Sequence, residues 1–336
     1  MTNDAHRTLP KAELHVHIEG TVSPELAQRL AARHGMDVGH LIHPERGYVW
    51  RDFGEFLAAY DGIADAVRTA EDYYDVAYEY LAASAAGGVI YTEMFMSSDH
   101  AEECGLPYPD LVASLVQAAE DARARHGIHA RYILTCVRHL GTAAAEKAAG
   151  NLEKHPHPMV VGFGMAGDEA VGAYGDFASA FAIARGAGAA LTAHAGEILG
   201  PESVRAALDA LDVARIGHGV RSFEDPALLD ELVARQIPLE ICPSSNVELS
   251  LFPSLAAHPV KRYLEAGAKV TLNSDDPPFF HTDIAAEYDR VAAVHELTPA
   301  ELVQITENAI DAAFCDADLK ARLRARVADW QRSAGE

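Results

Sequence analysis

Eight short apolar runs punctuate the chain, most bounded by glycine, proline or polar residues: Glu13–Ile18, Val89–Phe95, Ala130–Cys136, Val160–Met165, Ala190–His194, Ala214–His218, Pro238–Ile241 and Lys269–Asn273. Their length and content predict β-strands. Between them lie Ala-, Leu- and Glu-rich segments with apolar residues at helical spacing, such as Phe177–Ala187, Pro201–Leu211 and Asp225–Arg235. Strands that alternate with helices predict a parallel α/β fold. Eight of them is the count of a (β/α)8, TIM-like barrel. An open doubly wound sheet is the competing arrangement. No GxGxxG follows the first strand and no P-loop pattern is present, which weakens it.

The segment between the first two strands, about residues 21–88, is too long for one crossover helix. It carries helical patterns at Pro24–His34, Phe53–Ala66 and Ala70–Ala86, and predicts a helical insertion on the barrel. Within it, Trp50 to Leu57 sets aromatic and aliphatic residues at helical spacing, either as core or as a lid over a pocket. No linker or low-complexity stretch divides residues 1–336, so one domain is expected.

Composition narrows the picture. The 50 acidic residues outnumber the 27 basic ones, for a formal charge of -23. Such a surface repels phosphate backbones and anionic membranes. No apolar run approaches the roughly 20 residues that span a bilayer, and Met1–Arg7 lacks the apolar stretch of a signal peptide. Cys104, Cys136, Cys242 and Cys315 are scattered and form no CxxC. They read as reduced thiols of a cytoplasmic protein.

The chemistry gathers at predicted strand ends. His15 and His17 share one strand face, with Leu14, Val16 and Ile18 on the other. The fifth strand ends in His194-Ala-Gly-Glu197, the sixth in Gly217-His-Gly219 and the eighth in Asn273-Ser-Asp-Asp-Pro277. In a (β/α)8 barrel these ends converge on one mouth. His15, His17, His194 and Asp275 would offer three nitrogens and one oxygen, a donor set that suits one zinc with a position left for water. His218 would take or hold the water proton, and Glu197 would protonate the electrophile. His155-Pro-His157 is bracketed by prolines and reads as surface. His6, His34, His40, His43, His100 and His126 fall in polar contexts without evident partners. His139 and His281 fall close to strand ends and are not assigned as ligands.

Together, His15-Val-His17, Gly167-Asp-Glu169, His194-Ala-Gly-Glu197, Gly217-His-Gly219 and Asn273–Pro277 resemble the motif set of the adenosine and adenine deaminase family, within the amidohydrolase superfamily. The resemblance runs from residue 9 to about residue 282. It implies a barrel with one zinc that hydrolyses the 6-amino group of a small purine. It carries His15, His17, His194 and Asp275 over as zinc ligands, with His17 also at the substrate. Glu197 is the proton donor to purine N1, and His218 orients or deprotonates the attacking water. Asp276 contacts N7, and the Gly167 backbone contacts N3. Asp275 and Asp276 are adjacent, so the strand must end or bend there, consistent with Pro277-Pro278.

Position 19 bears on the substrate. Adenosine deaminases usually carry Asp there, reaching the ribose, whereas this chain has Glu19, and its His-Ile-Glu-Gly string resembles adenine deaminases and some bacterial adenosine deaminases. Gly167-Asp-Glu169 and Gly217-His-Gly219 resemble the adenosine branch. The resulting expectation is adenosine or deoxyadenosine, with adenine or a modified 6-aminopurine as the alternative. Glu19 is expected at the pocket rim. A two-metal relative would need a bridging lysine, but the fourth strand ends in Met165-Ala-Gly-Asp168. A non-catalytic metal-binding relative should have lost a ligand or the acid, and neither is missing.

Overall fold

In the computed structural model, which describes residues 8–334, the eight apolar runs become eight parallel strands in sequence order. They are β1 (Lys11–His17), β2 (Val89–Ser97), β3 (His129–Val137), β4 (Val160–Ala166), β5 (Ala190–Ala195), β6 (Arg215–His218), β7 (Leu239–Ile241) and β8 (Val270–Leu272). Each strand pairs in parallel with the next. The circle closes just past β8, where Asp275 bridges to Val16. There the Asp275 N–H donates to the His15 carbonyl (3.1 Å) and the His17 N–H donates to the Asp275 carbonyl (3.0 Å). The expected (β/α)8 barrel is present, and its strand limits lie within two residues of those expected.

Both faces of β1 and β2 are buried along their whole length. Interior side chains fill the barrel and outward ones meet the helices, which is why these strands read as near-continuous apolar runs. One apolar core extends from Leu9 to Val327. The insertion holds the three expected helices, Pro24–Arg33, Phe53–Ala64 and Ala70–Ala86. Each starts at a side-chain cap: Ser23 with Pro24 behind it, Asp52, and Thr69 in a capping box with Asp72. The insertion also contains a short hairpin, Ile42–His43 against Gly47–Tyr48, which two-residue strands are too short to announce.

Three helices follow β8: Ile284–His295, Pro299–Ala312 and Ala317–Ala334. The last returns to the start of the chain, where Trp330 Nε1 donates to Thr8 Oγ1 (3.0 Å). All four cysteines are free thiols. Among the described residues, no helix is long and apolar enough to cross a membrane. Met1–Arg7, with His6, lies outside the described residues.

Candidate active site

Strand alternation carries His15 and His17 inward from β1, and His194 and His218 sit at the ends of β5 and β6. Asp275 and Asp276 follow β8. Two of these residues hold left-handed backbone conformations without being glycine: His218 (φ 57°) and Asp275 (φ 65°). Such conformations cost of the order of 1 kcal/mol or more and cluster where function demands them. At Asp275 the turn does the bending that Pro277-Pro278 suggested, and both neighbouring carboxylates line the same cavity. Asp276 in turn needs Gly20, because a Cβ there would lie 1.7 Å from Asp276 Oδ1.

His15, His17, His194 and Asp275 form a buried cluster with one donor atom each, all within 4.8 Å of one another. Outer partners turn the rings so that Nε2 faces inward. His15 Nδ1 meets Glu240 Oε2 at 2.7 Å, and His194 Nδ1 meets the Met165 carbonyl at 2.8 Å. His17 Nε2 and His194 Nε2 stand 3.2 Å apart. Asp275 Oδ1 lies 3.4 Å from Nε2 of both His15 and His17, and Ser245 Oγ donates to its Oδ2 at 2.8 Å. His15 Nε2 is buried with no hydrogen-bond partner. Burial opposes a charged His15, but Asp275 and Glu240 outweigh it and raise the imidazole to about 9. Burial, then the neighbouring rings of His15, His218 and His17, push His194 well below its ordinary value, so it is neutral. A proton on His15 and a divalent metal would compete for the same inward-facing donors.

Around this cluster lies a cavity of about 680 Å3, its open mouth included, lined by His17, Glu19, Glu197, His218, Asp275 and Asp276 among others. Glu197 is held well above the usual carboxylate range, first by burial and then by the charges of Asp275 and Glu169. Asp276 is raised too, by burial and then by Asp275, Glu197 and Glu19. Burial takes His218 down to about 3; its Nε2 lies 3.6 Å from Glu197 Oε2 and 3.9 Å from Asp275 Oδ2. The cavity therefore presents two carboxyl groups biased toward their protonated forms, Glu197 and Asp276, beside a neutral imidazole, a set placed to hold and pass protons. Gly167 (φ 93°) also lines the cavity.

The helix Phe53–Ala64 sends Phe53, Phe56, Leu57 and Tyr60 onto the cavity. Of the two readings of this stretch, core or lid, the structure shows features of both: these side chains line the cavity, and Phe56 is packed on Phe280 at 5.0 Å between ring centres. Glu19 differs from expectation. It lies inside the cavity wall and not at the rim, 2% exposed, because the short turn after β1 folds it inward. Its carboxylate accepts from Tyr60 (3.3 Å) and Tyr73 (3.4 Å).

Three histidines read as partnerless have partners supplied by the fold: His34 with Asp72 (2.6 Å), His100 with Asp61 (3.4 Å) and His126 with Tyr78 (3.2 Å). His100 also lines the cavity, as does His139, whereas His281 does not. His155 is exposed and His157 half-buried, as a loop requires. Residues unassigned from sequence also shape the site: Glu240 holds His15, Ser245 holds Asp275, and Glu169 holds the loop that carries Glu197.

The adenosine deaminase family model matches residues 10–330. The chain belongs to the adenosine deaminase family. Its relatives include an adenine deaminase of Chelativorans sp. (strain BNC1), 49% identical over 95% of this chain and 98% of the relative. Another, from Sinorhizobium medicae (strain WSM419), is 45% identical over 95% and 98%. Among solved structures, adenine deaminase from Arthrobacter aurescens superposes with a TM-score of 0.90 at 32% identity, covering 96% of this chain and 99% of that one. An amidohydrolase from Burkhoderia ambifaria with bound Zn also reaches 0.90, at 28% identity over 99% and 93%. As a member of the family the protein is a hydrolase, a deaminase on an amidohydrolase barrel, and the histidine–aspartate cluster fits the divalent metal such enzymes use.

Proposed function

We propose that the protein is a zinc-dependent adenine deaminase, converting adenine and water to hypoxanthine and ammonia. The observation that carries adenine over adenosine is Glu19. With Tyr60 and Tyr73 hydrogen-bonded to its carboxylate, it forms a wall where a sugar on N9 would extend. Relatives named adenine deaminase at 45–49% identity support the same choice. Zinc is supported by the donor set of three nitrogens and one oxygen and by the zinc in the Burkhoderia structure.

In this reading His15, His17, His194 and Asp275 hold the metal. When bound, zinc supplies the Lewis acidity that makes water a nucleophile near neutral pH. Glu197, kept protonated by its surroundings, gives its proton to N1 and draws electrons from C6. Neutral His218 takes one proton from the attacking water as its oxygen bonds to C6. The C6–N bond then breaks, and the amino group leaves as ammonia with the proton from His218. Glu197 recovers a proton from the new hydroxyl, which becomes the 6-oxo group. Asp276, protonated, donates to N7, an acceptor in adenine, and the Gly167 backbone meets N3. The Phe53–Leu57 lid excludes water from this exchange.

Ultraviolet assays of adenine, adenosine and deoxyadenosine with the wild type and Glu19→Ala test the reading. The wild type should prefer adenine, and the variant should gain on adenosine relative to adenine. A wild type that prefers adenosine, with Glu19→Ala harming adenosine most, returns the assignment to the nucleoside. Glu197→Gln should keep its metal and lose roughly 10² to 10⁴ in turnover.

A further inference from the structure

We propose that Glu169 is a positioning residue, whose buried carboxylate clamps the loop after β5 and so sets where Glu197 stands. Residues 196–200 lie between β5 and the helix Pro201–Leu211, with no strand or helix to partner their amides. Glu169 supplies partners for the amides of residues 196–199. Its Oε2 accepts from the N–H groups of Ile198 (2.8 Å), Leu199 (2.8 Å) and Glu197 (3.2 Å). Its Oε1 accepts from the Gly196 N–H (2.6 Å) and from Ser203 Oγ (2.6 Å). The Tyr174 hydroxyl stands 3.2 Å from Oε1 and 2.8 Å from the carbonyl of His194. Glu169 is 2% exposed, so no water competes.

Four consecutive N–H groups can point at one carboxylate only if the chain curls, and Gly196 (φ 67°) provides the curl. A Cβ there would also meet Val204 at 2.5 Å. The arrangement is a backbone nest closed by a side chain instead of a free anion. Only an acceptor-only group satisfies it; an amide in its place would turn N–H donors toward N–H donors. Glu169 comes from the segment that follows Gly167, so one carboxylate also ties the β4 loop to the loop of the acid. Buried charge–amide bonds of this kind are costly to break.

The kinetic part rests on the proposed role of Glu197 as proton donor, and the experiment separates the two. In metal-free protein, Glu169→Gln should raise amide hydrogen exchange at residues 196–199 by roughly tenfold or more, leaving amides of β5 unchanged. In loaded protein with unchanged metal content, it should lower turnover by roughly 10- to 100-fold. Placed on Glu197→Gln, it should lower turnover further by less than about threefold, since residues acting as a unit are not additive. Equal fold losses in both backgrounds overturn the positioning of Glu197, even if exchange rises. Unchanged loop exchange overturns the clamp itself. Should Glu169→Gln fail to fold, Ser203→Ala removes one donor and keeps the carboxylate. It should lower turnover by roughly two- to tenfold, again only where Glu197 is present; no loss, or the same loss in both backgrounds, overturns the proposal.

Discussion

At the floor of the barrel, Arg215 lies between two carboxylates, whereas at the mouth five carboxyl groups, those of Glu19, Asp61, Glu197, Asp275 and Asp276, line one cavity with no lysine or arginine among its lining residues. Arg215 donates to Glu93 Oε2 (2.6 Å), Glu240 Oε1 (2.5 Å) and the Ala312 carbonyl (3.0 Å), and stacks on the Phe314 ring at 3.6 Å. Tyr91 donates to the other oxygen of Glu93 (2.5 Å). All three charged residues are at most 1% exposed. Burial disfavours charge in both places, but the floor carries its own cation. At the mouth, Glu197 and Asp276 respond by holding protons, and His15 by taking one.

The difference separates a cluster that is finished by folding from one that is finished by ligands. Glu240 belongs to both, with Oε1 on Arg215 and Oε2 on His15. The floor therefore aims the His15 imidazole at the mouth.

The largest expected effect breaks the mouth alone. His194→Ala should abolish stoichiometric metal binding, measured by elemental analysis, and with it turnover, while the fold persists. Full metal content in that variant would exclude His194 as a ligand. Next in size, Arg215→Met should cost about 3–5 kcal/mol of stability, because two buried carboxylates lose their cation. Denaturant unfolding measures it, and a loss below about 1 kcal/mol would show that the floor does not depend on Arg215.

The two regions were not equally legible in the sequence. His15, His17, His194, Glu197, His218 and Asp275 sit at the ends of apolar runs, and barrel geometry alone brings such ends together. Asp276 was harder, since an alternating strand would turn it away; the left-handed Asp275 that admits it leaves no pattern in residue order. Glu240 sits between Leu239 and Ile241 in a three-residue strand. A lone acid in a buried run signals a buried partner, but nothing local says that the partners are Arg215 and His15. Glu169 entered only as part of Gly167-Asp-Glu169, without a role, because most of its partners are backbone amides, which carry no sequence signature. Glu19 was placed at the rim because strand periodicity ends at His17 and cannot foresee an inward turn. The helices after β8 left no mark on the site reading, although one of them ends at Ala312, whose carbonyl accepts from Arg215.

A smaller effect sharpens the link between the regions. Glu240→Gln should weaken metal affinity by roughly 10- to 100-fold, the usual cost of losing a partner that orients a ligand. Chelator competition measures it. Arg215→Met should shift affinity less, since Glu240 still reaches His15. The same affinity loss in both variants would mean that general loosening, and not the His15 contact, is responsible.

The smallest effect concerns the protons at the mouth. Glu197 is raised above its unfolded value by burial and by Asp275 and Glu169. Between the two values the folded protein binds a proton that the unfolded chain has released. Stability contributed by this group is thus full below the unfolded carboxylate range and falls as pH rises. Its slope is at most about 1.4 kcal/mol per pH unit. Glutamine cannot titrate, so metal-free Glu197→Gln should gain stability relative to metal-free wild type between pH 6 and pH 7. Chemical denaturation at the two pH values reads the difference directly. A matching Arg215→Met pair should show no such relative gain, because without their cation the buried Glu93 and Glu240 favour protonated forms, which a rise in pH opposes. If Glu197→Gln and wild type keep a constant gap across that interval, Glu197 is not the protonated group of the mouth, and the contrast with the self-paired floor fails at its central residue.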